Sequence, residues 1–129
     1  MRKAGLMMLL AIMSNSAVAK LVEIGSDESI TIYADLSTIR RVANKVTMWE
    51  VGDFKMANKS GGKSFISMRK QQEYDCKENK IRTLHITLYS DNMGRGEAIH
   101  TGNKPRDWEP VAPNSYGDFL LRTACGARR

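Results

Sequence analysis

Two cysteines, Cys76 and Cys125, are the whole thiol complement of this 129-residue chain, and they follow an N-terminus with the anatomy of an export signal. Arg2 and Lys3 give a positive start, and Leu6 to Met13 form an unbroken apolar run of 8 residues. Ala17-Val18-Ala19 then supplies the small-x-small site after which a signal peptidase cuts. The run falls well short of the about 20 residues that a bilayer span needs, so it reads as a removable signal and not as a membrane anchor. Export delivers the chain to an oxidising compartment, where two thiols form a disulfide in preference to staying free or binding metal. Redox catalysts carry their cysteines as Cys-x-x-Cys; these two lie 49 positions apart and read as a structural staple.

Removing residues 1–19 leaves Lys20–Arg129, 110 residues, enough for one domain with a single core. It also leaves 18 basic residues against 14 acids, a surplus of four. The surplus is scattered among acids, as in Lys77-Glu78-Asn79-Lys80, and does not form the concentrated stripe of a nucleic-acid binder. No segment after Ala19 has the apolar length to cross a bilayer. Lys20 stands where a bacterial lipoprotein carries its lipid-bearing cysteine, so no lipid anchor is expected. The expected product is free in the periplasm or secreted.

Period-2 alternation dominates the rest of the chain. Leu21–Ile24 reads as a first strand closed by Gly25-Ser26-Asp27, and Ser29–Tyr33 as a second with Ile30 and Ile32 on one face. Asp35 is placed to cap a short turn of helix through Ser37-Thr38-Ile39. Lys45–Val51 is a third strand, with Thr47, Trp49 and Val51 on one face and Val46 and Met48 on the other; Trp49 is expected in the core. Ser64–Asp75 is a fourth, with Ile66, Met68, Tyr74 and Cys76 in phase. Lys80–Tyr89 is a fifth and Arg95–His100 a shorter sixth. The connections Lys77-Glu78-Asn79 and Asp91-Asn92-Met93-Gly94 are too short for parallel crossovers and imply antiparallel hairpins. Lys55–Lys63, with Lys55, Lys59, Lys63 and a Gly-Gly pair, reads as a mobile exposed loop and a candidate binding loop.

Pro105, Pro110 and Pro113 keep the next stretch extended. Ser115 opens a helix, with Asp118 as the partner of a Ser-x-x-Asp capping box. Phe119, Leu120 and Thr123 are its expected apolar face, Cys125 sits on its last turn and Gly126 stops it. The expected fold is α+β: a curved antiparallel sheet of about six strands in meander order, with a C-terminal helix packed on one face.

Chemistry-bearing residues are sparse. His85 and His100 are the only histidines; no motif sets a nucleophile or carboxylate beside either, and His85 reads as a surface residue among threonines. Two separated histidines and two oxidised cysteines make no zinc site. Gly94-Arg95-Gly96 follows a turn and precedes a strand, which suits a hairpin better than a phosphate loop. No catalytic residue, metal or cofactor is expected. Trp108, in the proline-rich crossover, either plugs the sheet edge beneath the helix or stands exposed as a binding anchor.

Several phrases are more specific. Tyr33-Ala34-Asp35-Leu36-Ser37-Thr38-Ile39-Arg40-Arg41, Val46-Thr47-Met48-Trp49, Tyr74-Asp75-Cys76, Trp108-Glu109-Pro110-Val111 and the terminal Cys125, in this order, resemble the surface-adhesin E-like (protein E-like) domain family of Gram-negative bacteria. The resemblance runs over nearly the whole of 20–129. It implies a six-stranded curved sheet with a C-terminal helix, and a non-enzymatic binding role toward host proteins such as matrix components and plasminogen. The family's namesake is lipid-anchored, and Lys20 departs from that pattern. Two functions follow as expectations: an exported domain that contacts host or envelope proteins, or a small periplasmic chaperone-like or envelope-stress module whose sheet edge pairs with client strands.

Overall fold

The computed structural model describes residues 20–126, so the export-signal reading of residues 1–19 lies outside the described residues. Six strands follow one another as neighbours in a single antiparallel sheet: β1 Leu21–Ser26, β2 Ile30–Val42, β3 Lys45–Ser60, β4 Lys63–Asp75, β5 Lys80–Tyr89 and β6 Ala98–Gly102. A two-residue strand, β7 (Glu109–Pro110), adds to β5, and one helix, α1 (Tyr116–Cys125), closes the chain. This is the expected meander with its terminal helix.

The core lies between α1 and one face of the sheet. Ile32, Ala34, Val46, Met48 and Tyr74 from the strands meet Leu120, Leu121 and Ala124 from the helix. The Cys76–Cys125 disulfide sits in the same cluster and ties the end of β4 to the last turn of α1. Arg41 donates from Nη2 to the Cys125 carbonyl at 2.9 Å, a cation placed at the negative end of the helix. At the other end Ser115 Oγ accepts from the Asp118 amide. The Asp118 carboxylate accepts from the Asn114 amide at 3.0 Å.

Four expectations about turns, strand limits and the helix face change. Asp35 does not start a helix: its Oδ1 accepts from the Ser37 amide and hydroxyl, which makes a local turn, and β2 bulges between Asp35 and Arg40 before resuming its ladder with β3. Lys55–Lys63 is not a loop. β3 and β4 continue as a hairpin whose turn is Gly61-Gly62 alone, both at left-handed φ (56° and 82°), the pair that a two-residue hairpin turn demands. The sixth strand begins at Ala98, because a turn at Asn92–Gly94 and the glycine at position 96 hold the preceding residues off the ladder. On α1 the buried stripe is Leu120, Leu121, Ala124 and Cys125, which the helical period places together, while Phe119 is 36% exposed.

Among the described residues no helix is long and apolar enough to cross a membrane.

Candidate functional site

The face of the sheet opposite α1 and the tip of the β3–β4 hairpin carry the residues that the sequence marks for binding. Direct register fixes that face: Asp35, Trp49, Gln71 and His85 lie across four strands in one row. Trp49, expected in the core, therefore points away from the helix and is half-buried there. Its ring and that of His85 lie 6.1 Å apart and within 14° of parallel. Alternation explains the outcome, since Val46 and Met48 take the covered face and Trp49 takes the other. His85 donates from Nδ1 to Asn103 Oδ1 at 2.9 Å, which orients its ring.

Trp108 takes neither expected place. It is half-buried on this same face, with the Arg82 guanidinium 4.7 Å and the Lys45 ammonium 5.8 Å from its ring centre. Arg82 is held by Glu73 at 2.7 Å and Lys45 by Asp75 at 3.6 Å, so the indole rests on two paired cations. The amides of Arg106 and Val111 donate to the carbonyls of Thr83 and Asn79, which lays the proline-rich segment along β5. The Trp108 indole thus packs on Arg82 and Lys45 and remains half-buried.

Lys55, Lys59 and Lys63 lie on the two arms of the hairpin near its tip, all exposed, beside Met56 at 79% exposure. From Phe54 to Gln72 there are five basic residues and no acid. Lys63 reaches Glu97 at 3.6 Å, but both groups stay well hydrated and hold each other weakly.

One polar cluster was not picked out from sequence. Glu50 is 2% exposed on the α1 side, with Lys70 Nζ at 3.2 Å and Gln72 Nε2 at 3.4 Å from both carboxylate oxygens. Burial pushes its pKa up, and Lys70 only partly offsets this. Tyr74 beside it is fully buried, and its hydroxyl makes no hydrogen bond among the described residues. Glu50 shares the parity of Val46 and Met48, a signal present in the sequence. Among the described residues no three His, Cys, Asp or Glu side chains converge to hold a metal.

A six-stranded meander with one helix fastened across a single face by a disulfide defines a small α+β domain. The chain belongs to the surface-adhesin protein E family, whose model matches residues 21–126. Solved structures of Haemophilus influenzae protein E share the fold. Its selenomethionine form aligns with a TM-score of 0.60 at 14% identity, over 85% of this chain and 96% of that one. A second crystal form gives 0.59 at 14% identity, over 84% and 96%. Protein E from a non-typeable strain gives 0.55 at 14% identity, over 85% and 79%. No curated protein sequence matches.

Proposed function

We propose that this chain is an exported, non-enzymatic binding domain that contacts host or envelope proteins, with residues 1–19 removed as a signal and 20–129 forming the single mature domain. The family supports a binding role, and the disulfide suits an oxidising compartment. The observation that carries the reading is the basic hairpin: Lys55, Lys59 and Lys63 lie exposed on a paired two-stranded arm in a stretch of sequence without acids. Like charge on a projecting element steers acidic partners onto it, and a pre-formed arm loses little entropy when they dock.

Capture of host-matrix and envelope proteins on the immobilised mature domain tests this. The Lys55→Ala, Lys59→Ala, Lys63→Ala triple variant should lose the captured partner at low salt. Equal capture by wild type and variant would sink the hairpin reading. Fractionation of cells that express the full chain checks export, and a product that keeps residues 1–19 in the cytoplasm would refute it.

A second reading rests on the outer edge of β1, where Leu21 and Val22 are 40% and 36% exposed and no further strand pairs among the described residues. Such an edge is open to strand addition by a client chain. Recovery of many unfolded envelope proteins, instead of one defined partner, would favour that module.

A further inference from the structure

The face opposite α1 holds a cleft of about 270 Å³ lined by Asp35, Thr38, Trp49, Arg69, Thr87 and Tyr89. Its walls are built, not incidental. Asp35 Oδ1 accepts from the Lys20 amide at 3.2 Å, the Ser37 amide at 3.1 Å and the Ser37 hydroxyl at 2.6 Å. Burial alone would raise this carboxyl, but the Ser37 and Lys20 bonds outweigh burial and hold it below its ordinary value, so it stays charged at neutral pH. All three bonds fall on Oδ1, which leaves Oδ2 as the acceptor for whatever enters. Thr38 Oγ1 donates to the Asp35 carbonyl at 2.7 Å and accepts from the Trp49 amide at 2.9 Å. The β2 bulge is thereby locked onto β3 beside the indole. Arg69, an exposed residue of β4, lines the cleft with its Nε donating to the Gly94 carbonyl at 3.5 Å.

These groups narrow the ligand. An anion would meet the fixed charge of Asp35, and a cation would meet Arg69. One carboxylate without a companion ligand does not hold a metal. A wholly apolar guest would strip water from Asp35 and Arg69 and return no hydrogen bond. What remains is a neutral ring with an apolar C–H face to lie against Trp49 or Tyr89, and a rim of hydroxyls. Those hydroxyls can donate to Asp35 Oδ2 and accept from Arg69, while the Thr38 hydroxyl is already committed to Asp35 and Trp49 and that of Thr87 to Thr101. A pyranose has that shape. The cleft lies just below the about 300–1,000 Å³ of drug-sized sites, which suits one sugar ring.

We propose that this cleft binds a neutral pyranose unit of a glycan, with Trp49 as its stacking surface and Asp35 and Arg69 as its hydroxyl partners. The site is separate from the lysine hairpin and does not depend on the protein-binding reading. Two sources share this chemistry: the glycan strands of the bacterial wall and the glycans of host glycoproteins.

The test uses Trp108→Phe, which leaves Trp49 as the single indole of the chain, titrated with soluble peptidoglycan fragments in one arm and with an array of host-type neutral glycans in the other. A saturable change of Trp49 emission is expected in at least one arm, and the responding arm names the source. Arg69→Gln, at an exposed position, should weaken that binding about tenfold with the melting temperature unchanged. The hairpin triple variant should bind the glycan as well as its parent does. No saturable binding in either arm, or binding untouched by Arg69→Gln, overturns the proposal.

Discussion

Replacing both cysteines by alanine, Cys76→Ala with Cys125→Ala, removes the one covalent link between sheet and helix and leaves no free thiol to confuse the result. The link closes a loop with a sequence separation of 49. In the chain-entropy treatment a loop of about 50 residues restrains the unfolded chain by about 14 cal/mol/K, or about 4 kcal/mol at room temperature. Against a total stability of about 5–15 kcal/mol this is a large fraction, and it corresponds to about 15 °C in melting temperature for a domain of this size. The native state adds a second, local effect. α1 has 10 residues, shorter than the about 12–15 at which isolated helices become even marginal in water. Its docking rests on Leu120, Leu121 and Ala124, of which each leucine contributes about 1.5–3 kcal/mol by burial. Without the tether the helix should therefore leave the sheet more readily than the sheet unfolds. Denaturant titration of the variant measures the first effect. Native-state hydrogen exchange measures the second, and the α1 amides should open at a lower free energy than those of β3 and β4. A stability loss under about 1 kcal/mol would refute the loop argument, and α1 amides protected as well as the central strands would refute the release of the helix.

Three further outcomes follow from particular contacts. Ser115→Ala removes the side-chain acceptor for the Asp118 amide and should lower stability by about 1 kcal/mol in thermal or denaturant unfolding, with no change in the sheet. Leu121→Ala, at 1% exposure in the centre of the interface between helix and sheet, should cost about 2–5 kcal/mol in the same measurement. Glu50 has its folded pKa raised above the ordinary 4.5, chiefly by burial, so the stability it contributes is complete below that value and is lost as pH rises through the folded one. Glu50→Gln is neutral throughout and should match wild type near about pH 4 but gain on it by about pH 8, as read from melting temperature against pH. A constant difference across that range would show that Glu50 does not titrate in the folded protein.

The amino-acid order by itself determined the meander, the terminal helix and its Ser115 cap, because short polar turns between alternating strands allow only neighbouring antiparallel partners. It also determined the expected link between Cys76 and Cys125, since a chain with two thiols has one way to pair them within itself. Tertiary structure decided what alternation cannot: which face of each strand is covered. Trp49 and Val46 have the same claim to a core by composition. Only the seat of α1 over Val46 and Met48, fastened at its last turn by the disulfide, turns the indole outward. The same placement buries Glu50 and leaves it to be met by Lys70. Trp108 comes to rest on Arg82 and Lys45 because the proline-rich arm runs back along β5, a long-range pairing that no local pattern encodes. The lysines of 55–63 were legible as charge but not as an arm. Whether Gly61-Gly62 ends a floppy loop or turns a long hairpin depends on how far β3 and β4 hold their register across the sheet.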